Sequence, residues 1–128
     1  MFELTINGVV YKFAFNMGFL KDINGETVVP VDGAPGVSSR AGLTYAVGNL
    51  LDGDIETLVH VLDLANRRQD PRLTTMALES YIDDPVTDVD ALFNQVIEGL
   101  KLANATRKAT LNLIEAVEQR KQEMLKQN

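Results

Sequence analysis

The residues with the clearest potential for chemistry are the acidic side chains of the stretch YIDDPVTDVDALF. Four aspartates fall within eight residues, and a glutamate lies just upstream: Asp83, Asp84, Asp88, Asp90 and Glu79. Carboxylates at this density could coordinate a divalent cation, or two of them could act as a general acid and a general base. Each kind of site requires a particular spacing, which can be checked against the sequence.

The spacing of an EF-hand calcium loop is absent from this stretch. Such a loop needs glycine in its sixth position and glutamate in its twelfth. Counting from Asp83 places Asp88 and Asn94 at those positions, and counting from Asp84 places valine and glutamine there. Neither register fits.

The same acids match the start of a helix. Paired-carboxylate catalysis needs two acids in unlike environments, and the stretch has no apolar segment that would raise the pKa of one acid. Pro85 ends one predicted helix, and Thr87 is the predicted N-cap of the next. Asp88 and Asp90 would then lie in the first turn, where the helix dipole favours negative charge.

Other reactive groups are scarce. The chain has a single histidine, His60, and no cysteine, which excludes thiol nucleophiles, disulfides and cysteine-ligated zinc. The stretch GAPGVSSRAG matches neither the P-loop nor the dinucleotide-binding spacing. We therefore predict a protein that is not an enzyme, with no catalytic, cofactor-binding or metal-binding residues, and with His60 on the surface.

Length and composition favour a single domain in the cytoplasm. The chain has 128 residues, of which 45% are hydrophobic, enough for a core without disulfides or metals. No apolar run approaches the roughly 20 residues of a membrane helix, and the N-terminus lacks a signal-peptide pattern. The net charge of −6 argues against nucleic acid as a partner.

The charge is unevenly distributed along the chain. Residues 101–128 carry six Lys or Arg and three Glu, a net charge of +3, so the first hundred residues carry −9. A basic helix on an acidic body could self-associate or bind an acidic partner. The alternative is an ordinary solvated helix face.

The N-terminus predicts a β-hairpin. Its strands flank Asn7-Gly8, a turn pair in which both residues tolerate positive φ. The predicted pairs are Phe2 with Phe13, Glu3 with Lys12, Leu4 with Tyr11 and Ile6 with Val9. Because a two-stranded ribbon is not stable alone, its apolar face must be covered by the helices that follow.

Helical periodicity dominates the remainder. The predicted fold is α+β and mostly α, with an N-terminal β-hairpin packed on a bundle of about four to five helices. An extended connection holds a possible short strand at Thr27–Val31. The predicted helices begin after Asn16, from Ser39, after Asp54 with a buried stripe of Ile55, Leu58, Val59 and Leu62, after Thr74, and after Thr87 with a break near Asn104 or Thr106.

Residues 1–103 are predicted to form a compact α+β domain, and residues 104–128 a C-terminal helical extension of the same domain. Several apolar residues remain outside the predicted stripes. We interpret them as candidates for partner binding or self-association, with ordinary core as the alternative for each: Leu64, Leu111, Ile114, Val117 and Met124.

Three stretches taken in order, LTINGVVYKFAFNMGFLKDIN, NLLDGDIETLVHVLDLA and PRLTTMALESYIDDPVTDVDALFNQVIEGLKLANATR, resemble the tail assembly chaperones of long, non-contractile-tailed phages and prophages of Gram-positive bacteria. The similarity spans nearly the whole chain. Its most specific part is Leu73–Leu100, where a YIDD helix end leads into an acidic-capped ALF helix. None of these stretches is a catalytic motif.

The resemblance implies a chaperone that binds the tape measure protein, keeps it soluble and helps to recruit major tail protein, the latter through a longer form made by ribosomal frameshifting. It also implies a homo-oligomer in the cytoplasm of the bacterial host that is not retained in the mature virion. The alternative function is a small helical adaptor or oligomerisation module with no catalytic role.

Overall fold

The computed structural model describes residues 2–25, 28–30 and 38–126. Its strands form two antiparallel ribbons, β1 with β2 and β3 with β4. The strands are β1 (Phe2–Ile6), β2 (Val9–Phe13), β3 (Val28–Pro30) and β4 (Ser38–Arg40), and the helices are α1 (Met17–Asn24), α2 (Gly42–Leu51), α3 (Ile55–Asn66), α4 (Thr75–Asp83), α5 (Val89–Leu102) and α6 (Arg107–Lys126). The predicted class, α+β and mostly α, is confirmed. The described residues form six helices, because the last predicted element divides into α5 and α6.

The N-terminal hairpin has the predicted register. Phe2 pairs with Phe13 and Ile6 with Val9, and the turn residues Asn7 and Gly8 have φ of 53° and 79°. Within the predicted strand Thr27–Val31 the structure describes residues 28–30, which form β3; Thr27 and Val31 lie outside the described residues.

Three aromatic residues near the N-terminus form part of the core. Phe13, Phe15 and Phe19 are buried, and the rings of Phe15 and Phe19 meet edge to face with centroids 5.0 Å apart. A Cβ on Gly99 would lie 2.6 Å from the Phe15 ring. The lack of a side chain at Gly99 therefore lets α5 approach the segment between β2 and α1 closely.

The predicted start of α2 at Ser39 is wrong, because Ser39 lies in β4 and the helix begins at Gly42. A Cβ on Gly42 would lie 1.8 Å from the carbonyl oxygen of Ile23, so only glycine allows this contact with α1. The Asn24 side chain accepts a hydrogen bond from the Leu43 N–H at 2.9 Å. A residue of α1 thus satisfies a donor at the start of α2 that the local sequence leaves unpaired.

The predicted buried stripe of α3 is partly wrong. Leu58 and Leu62 are fully buried as expected, but Ile55 is 47% exposed and Val59 is only partly buried. The helix contacts β2, α1, α2, α4 and α5. Because neighbours surround its C-terminal part, the buried arc rotates toward residues the stripe did not contain: Val61, Leu64 and Ala65.

The start of α5 also differs from the prediction. Its N-cap is Asp88, whose Oδ1 accepts from the Ala91 N–H at 3.0 Å, whereas the Thr87 hydroxyl donates to the carbonyl oxygen of Tyr81 at 2.6 Å. Thr87 therefore closes the α4–α5 connection and does not cap α5. The predicted break between the last two helices is confirmed, and the Thr106 hydroxyl donates to the Leu100 carbonyl there.

The side chain of Asn66, which is fully buried at the end of α3, joins three separate segments. Its Nδ2 donates to the carbonyl oxygens of Lys12 in β2 and of Pro71, at 3.1 Å each. Its Oδ1 accepts from the Leu73 N–H at 2.6 Å and from the Arg72 guanidinium at 2.9 Å. All the polar atoms of this buried amide are therefore hydrogen-bonded.

We predict that Asn66→Ala lowers the free energy of unfolding by about 2–4 kcal/mol, because it leaves buried backbone groups without partners. Urea denaturation followed by circular dichroism measures this loss. Asn112→Ala, at an exposed position on α6, is the control and should change the stability by less than about 0.5 kcal/mol. A loss at Asn66 as small as the control would contradict a structural role for the network.

We predict that Asp88→Ala lowers the free energy of unfolding by about 1 kcal/mol through loss of the α5 cap. Asp88→Asn is the matched control, because an amide oxygen can still accept the Ala91 N–H and the stability should be nearly preserved. Equal losses in the two variants, measured by the same denaturation, would show that the charge of Asp88 matters and the cap does not.

Candidate functional site

The acidic stretch does not converge on a common point in the structure. Asp84 accepts from the Val86 N–H at 3.1 Å, Asp88 caps α5, and Asp90 lies in the first turn of α5. Within residues 2–25, 28–30 and 38–126, no group of three or more His, Cys, Asp or Glu residues is arranged to hold a metal ion. These carboxylates act locally, at helix ends and on the surface.

An open groove lined by apolar and acidic residues lies beside this stretch, and we call it the acidic groove. It consists of two adjoining depressions that share Ile55, one of about 370 Å³ and one of about 590 Å³. The first lies between α3 and α4 and is lined by Ile55, Glu56, Val59, Glu79, Ile82 and Asp83. The second lies between the α2–α3 turn and α5 and is lined by Leu50, Leu51, Gly53, Ile55, Val89, Asp90, Phe93, Asn94 and Ile97.

The floor of the acidic groove is apolar and firmly supported. Leu51 and Ile55 are 36% and 47% exposed, so they offer apolar surface to a partner. The other apolar lining residues are buried or partly buried and belong to the core or pack against it: Leu50, Val59, Ile82, Val89, Phe93 and Ile97. A floor packed in this way presents a preformed surface, which reduces the ordering cost of binding.

The rim of the groove carries charge of one sign. Four carboxylates, Glu56, Glu79, Asp83 and Asp90, are among the lining residues, and all four residues are exposed. None of the residues lining the two depressions is Lys or Arg. An apolar floor bordered by carboxylates suits an amphipathic segment with basic flanks.

The tight turn between α2 and α3 contributes to this groove. Gly53 has φ of 80°, a conformation that favours glycine, and it lets the chain leave α2 and begin α3 within three residues. Leu51 and Ile55 therefore lie on either side of a tight turn at the edge of the helices. The first turn of α3 extends past the core here, which explains why Ile55 is exposed.

The sequence-predicted site residues fall into two groups. Leu64 lies on α3 and is 2% exposed, within the core. Leu111, Ile114, Val117 and Met124 all lie on α6. Leu111 and Met124 are 42% and 63% exposed, and Ile114 and Val117 are partly buried.

Helix α6 packs on the rest of the protein in its first part only. Its first part packs on α2 and α5, whereas every residue from 118 to 126, which we call the distal segment, is exposed. Thr110, Val117 and Met124 are spaced by seven residues and so share one helix face. Thr110 is buried, Val117 is partly buried and Met124 is exposed, so the face that packs on the body continues beyond it without cover.

Sequence reasoning missed the acidic groove because its residues looked like core. Ile55 and Val59 fitted the predicted stripe of α3, and Phe93 and Ile97 are spaced by four residues, as core residues of a helix commonly are. The pair Asp54 and Glu56 beside Ile55 was the available signal, since charge on both sides of an apolar residue is typical of an exposed helix start.

No helix in the described part of the chain is long and apolar enough to cross a membrane.

Comparison with known proteins gives a match to a protein family. The family described as phage tail assembly chaperone protein, TAC, matches residues 3–115, from the hairpin through the first half of α6. No curated protein and no solved structure matches the chain. The match covers most of the 128 residues, so the chain belongs to the phage tail assembly chaperone family.

Proposed function

We propose that this chaperone binds the tape measure protein, keeps it soluble and helps to recruit major tail protein, the latter through a longer form made by ribosomal frameshifting. It acts as a homo-oligomer, without catalysis, in the cytoplasm of the bacterial host, and it is not retained in the virion. Its membership of the tail assembly chaperone family supports the general role. The acidic groove is the observation that supports binding of a helical client.

The groove fits the physical task of protecting an aggregation-prone client. Such a client exposes apolar helix faces before it assembles, and an apolar groove can cover one of them. Each Å² of apolar surface removed from water contributes roughly 25 cal/mol, so partial burial of Leu51 and Ile55 contributes on the order of 1 kcal/mol each. Modest contributions of this size suit a chaperone that must release its client.

The acidic rim sets the specificity of the proposed interaction. The carboxylates of Glu56 and Asp90 border the floor from opposite depressions and would attract Lys or Arg on the flanks of a client helix. Exposed charges of this kind mainly affect the rate of association and the choice of partner. Their contribution should fall as salt rises.

We also propose that residues 104–128 extend the domain formed by residues 1–103. The packing of α6 on α2 and α5 supports a place for this helix in the same domain. The exposed distal segment then provides a second surface, which includes Met124, for contacts outside the domain.

Co-expression with the tape measure protein tests the client-binding proposal. We expect the unmodified chain to keep the tape measure protein in the soluble fraction and to co-purify with it. Ile55→Asp should reduce the co-purified amount about tenfold or more, because it places a carboxylate on the apolar floor of the groove.

Met17→Asp is the matched control. Met17 is 55% exposed, similar to Ile55, and it too lies in the first turn of a helix, but it belongs to α1 and not to the acidic groove. This variant should retain the client. Equal retention by both variants, with circular dichroism showing both folded, would exclude the groove as the client site. An insoluble client with the unmodified chain would contradict the proposed function itself and favour an adaptor role.

A further inference from the structure

We propose that the acidic groove of one copy binds the distal segment of α6 from a second copy. The proposal rests on the self-association included in the proposed function, and it assigns the two surfaces that meet. The joined surfaces differ from each other, so the contact can propagate head to tail from copy to copy.

The charges of the two surfaces are complementary. The groove is bordered by Glu56, Glu79, Asp83 and Asp90, with no basic residue among its lining. Helix α6 has five Lys or Arg and three Glu within residues 107–126, a net charge of +2, while residues 1–100 carry −9. The distal segment carries a net charge of +1, from Arg120, Lys121 and Lys126 against Glu118 and Glu123.

The apolar parts of the two surfaces also match. Met124 and Leu125 are 63% and 74% exposed in the distal segment, although Met124 continues the face that packs on the body through Val117. The segment of residues 118–126 is about 14 Å long at 1.5 Å per residue, a length suited to a short groove. Basic residues flanking two apolar side chains form the kind of helix that the acidic groove suits.

The segment does not occupy the groove of its own chain. The groove is lined by residues of α2, the α2–α3 turn, α3, α4 and α5, and none of its lining residues belongs to α6. The distal segment is exposed throughout, and it continues a helix whose first part is fixed against α2 and α5. A second copy is therefore required to bring the segment and the groove together.

A contact between unlike surfaces has a consequence for assembly. When two copies meet through a single groove and a single segment, the second groove and the second segment stay available for further copies. Such heterologous contacts form a ring if the rotation closes and an open chain if it does not.

The test uses two full-length variants that each remove one surface. Ile55→Asp disrupts the groove and keeps the segment, whereas Met124→Asp with Leu125→Asp disrupts the segment and keeps the groove. Sedimentation velocity over a concentration series should show assemblies for the unmodified chain and for Met17→Asp. Each of the two variants alone should be monomeric where the unmodified chain assembles, because its dissociation constant for self-association is raised about tenfold or more.

Mixing the two variants gives the sharper result. The Ile55→Asp copy supplies an intact segment, and the copy with Met124→Asp and Leu125→Asp supplies an intact groove. We therefore expect a 1:1 heterodimer and nothing larger. High salt should weaken this heterodimer, because the rim charges are exposed. A contact between two like surfaces would not be restored by mixing, and a mixture that stays monomeric would therefore overturn the proposal.

The absence of cysteine from the chain permits a second measurement. Ile55→Cys in one copy and Met124→Cys in another should form a disulfide-linked heterodimer under mild oxidation, whereas Met17→Cys with Met124→Cys should not. An unmodified chain that remains monomeric at every concentration, or assemblies that both surface variants leave intact, would also overturn the proposal. Client solubility is measured separately, so a failure here leaves the proposed client binding to be judged by the co-expression experiment.

Discussion

The buried amide of Asn66 fixes the relative positions of the elements on which the rest of the structure depends. A two-stranded ribbon has too little core of its own to be stable, so the hairpin must be held against the helices. Hydrogen bonds from Asn66 to the Lys12 and Pro71 carbonyls hold β2 and the α3–α4 connection together. The same side chain accepts from the Leu73 N–H just before α4, and so α4 is positioned against α3. The wall of the acidic groove that contains Glu79 and Ile82 depends on that position.

Features determined by neighbouring residues were predictable from the sequence. The hairpin register follows from Asn7-Gly8 and strict alternation. Asn16 and Thr74 cap their helices through side chains that reach residues three positions ahead. The break before α6 follows from a thinning apolar pattern. Each of these signals depends on a few adjacent residues, and no distant part of the chain competes with it.

Features determined by distant residues were not predictable. Ser39 lies in a strand because it pairs with Val29, and Gly42 starts α2 because of the Ile23 carbonyl nearby. Thr87 bonds to Tyr81, which leaves the cap of α5 to Asp88. The acidic groove was missed for the same reason: periodicity shows that one face of a helix is apolar, but only the packing of the four helices α2 to α5 shows which turn of that face is left uncovered.

The proposed client helix and the distal segment of a second copy would use one groove, so at any one groove they exclude each other. Self-association would then cover the apolar floor around Ile55 until a client arrives. In an open head-to-tail chain one groove stays vacant at one end, and a client helix could bind there first. Displacement along the chain would need the two interactions to be similar in strength. Small apolar contacts and exposed charges make that similarity physically reasonable, since neither interaction includes a fully buried ion pair. The modest strength of the groove is therefore what would allow one surface to serve both for storage of the chaperone and for protection of the client.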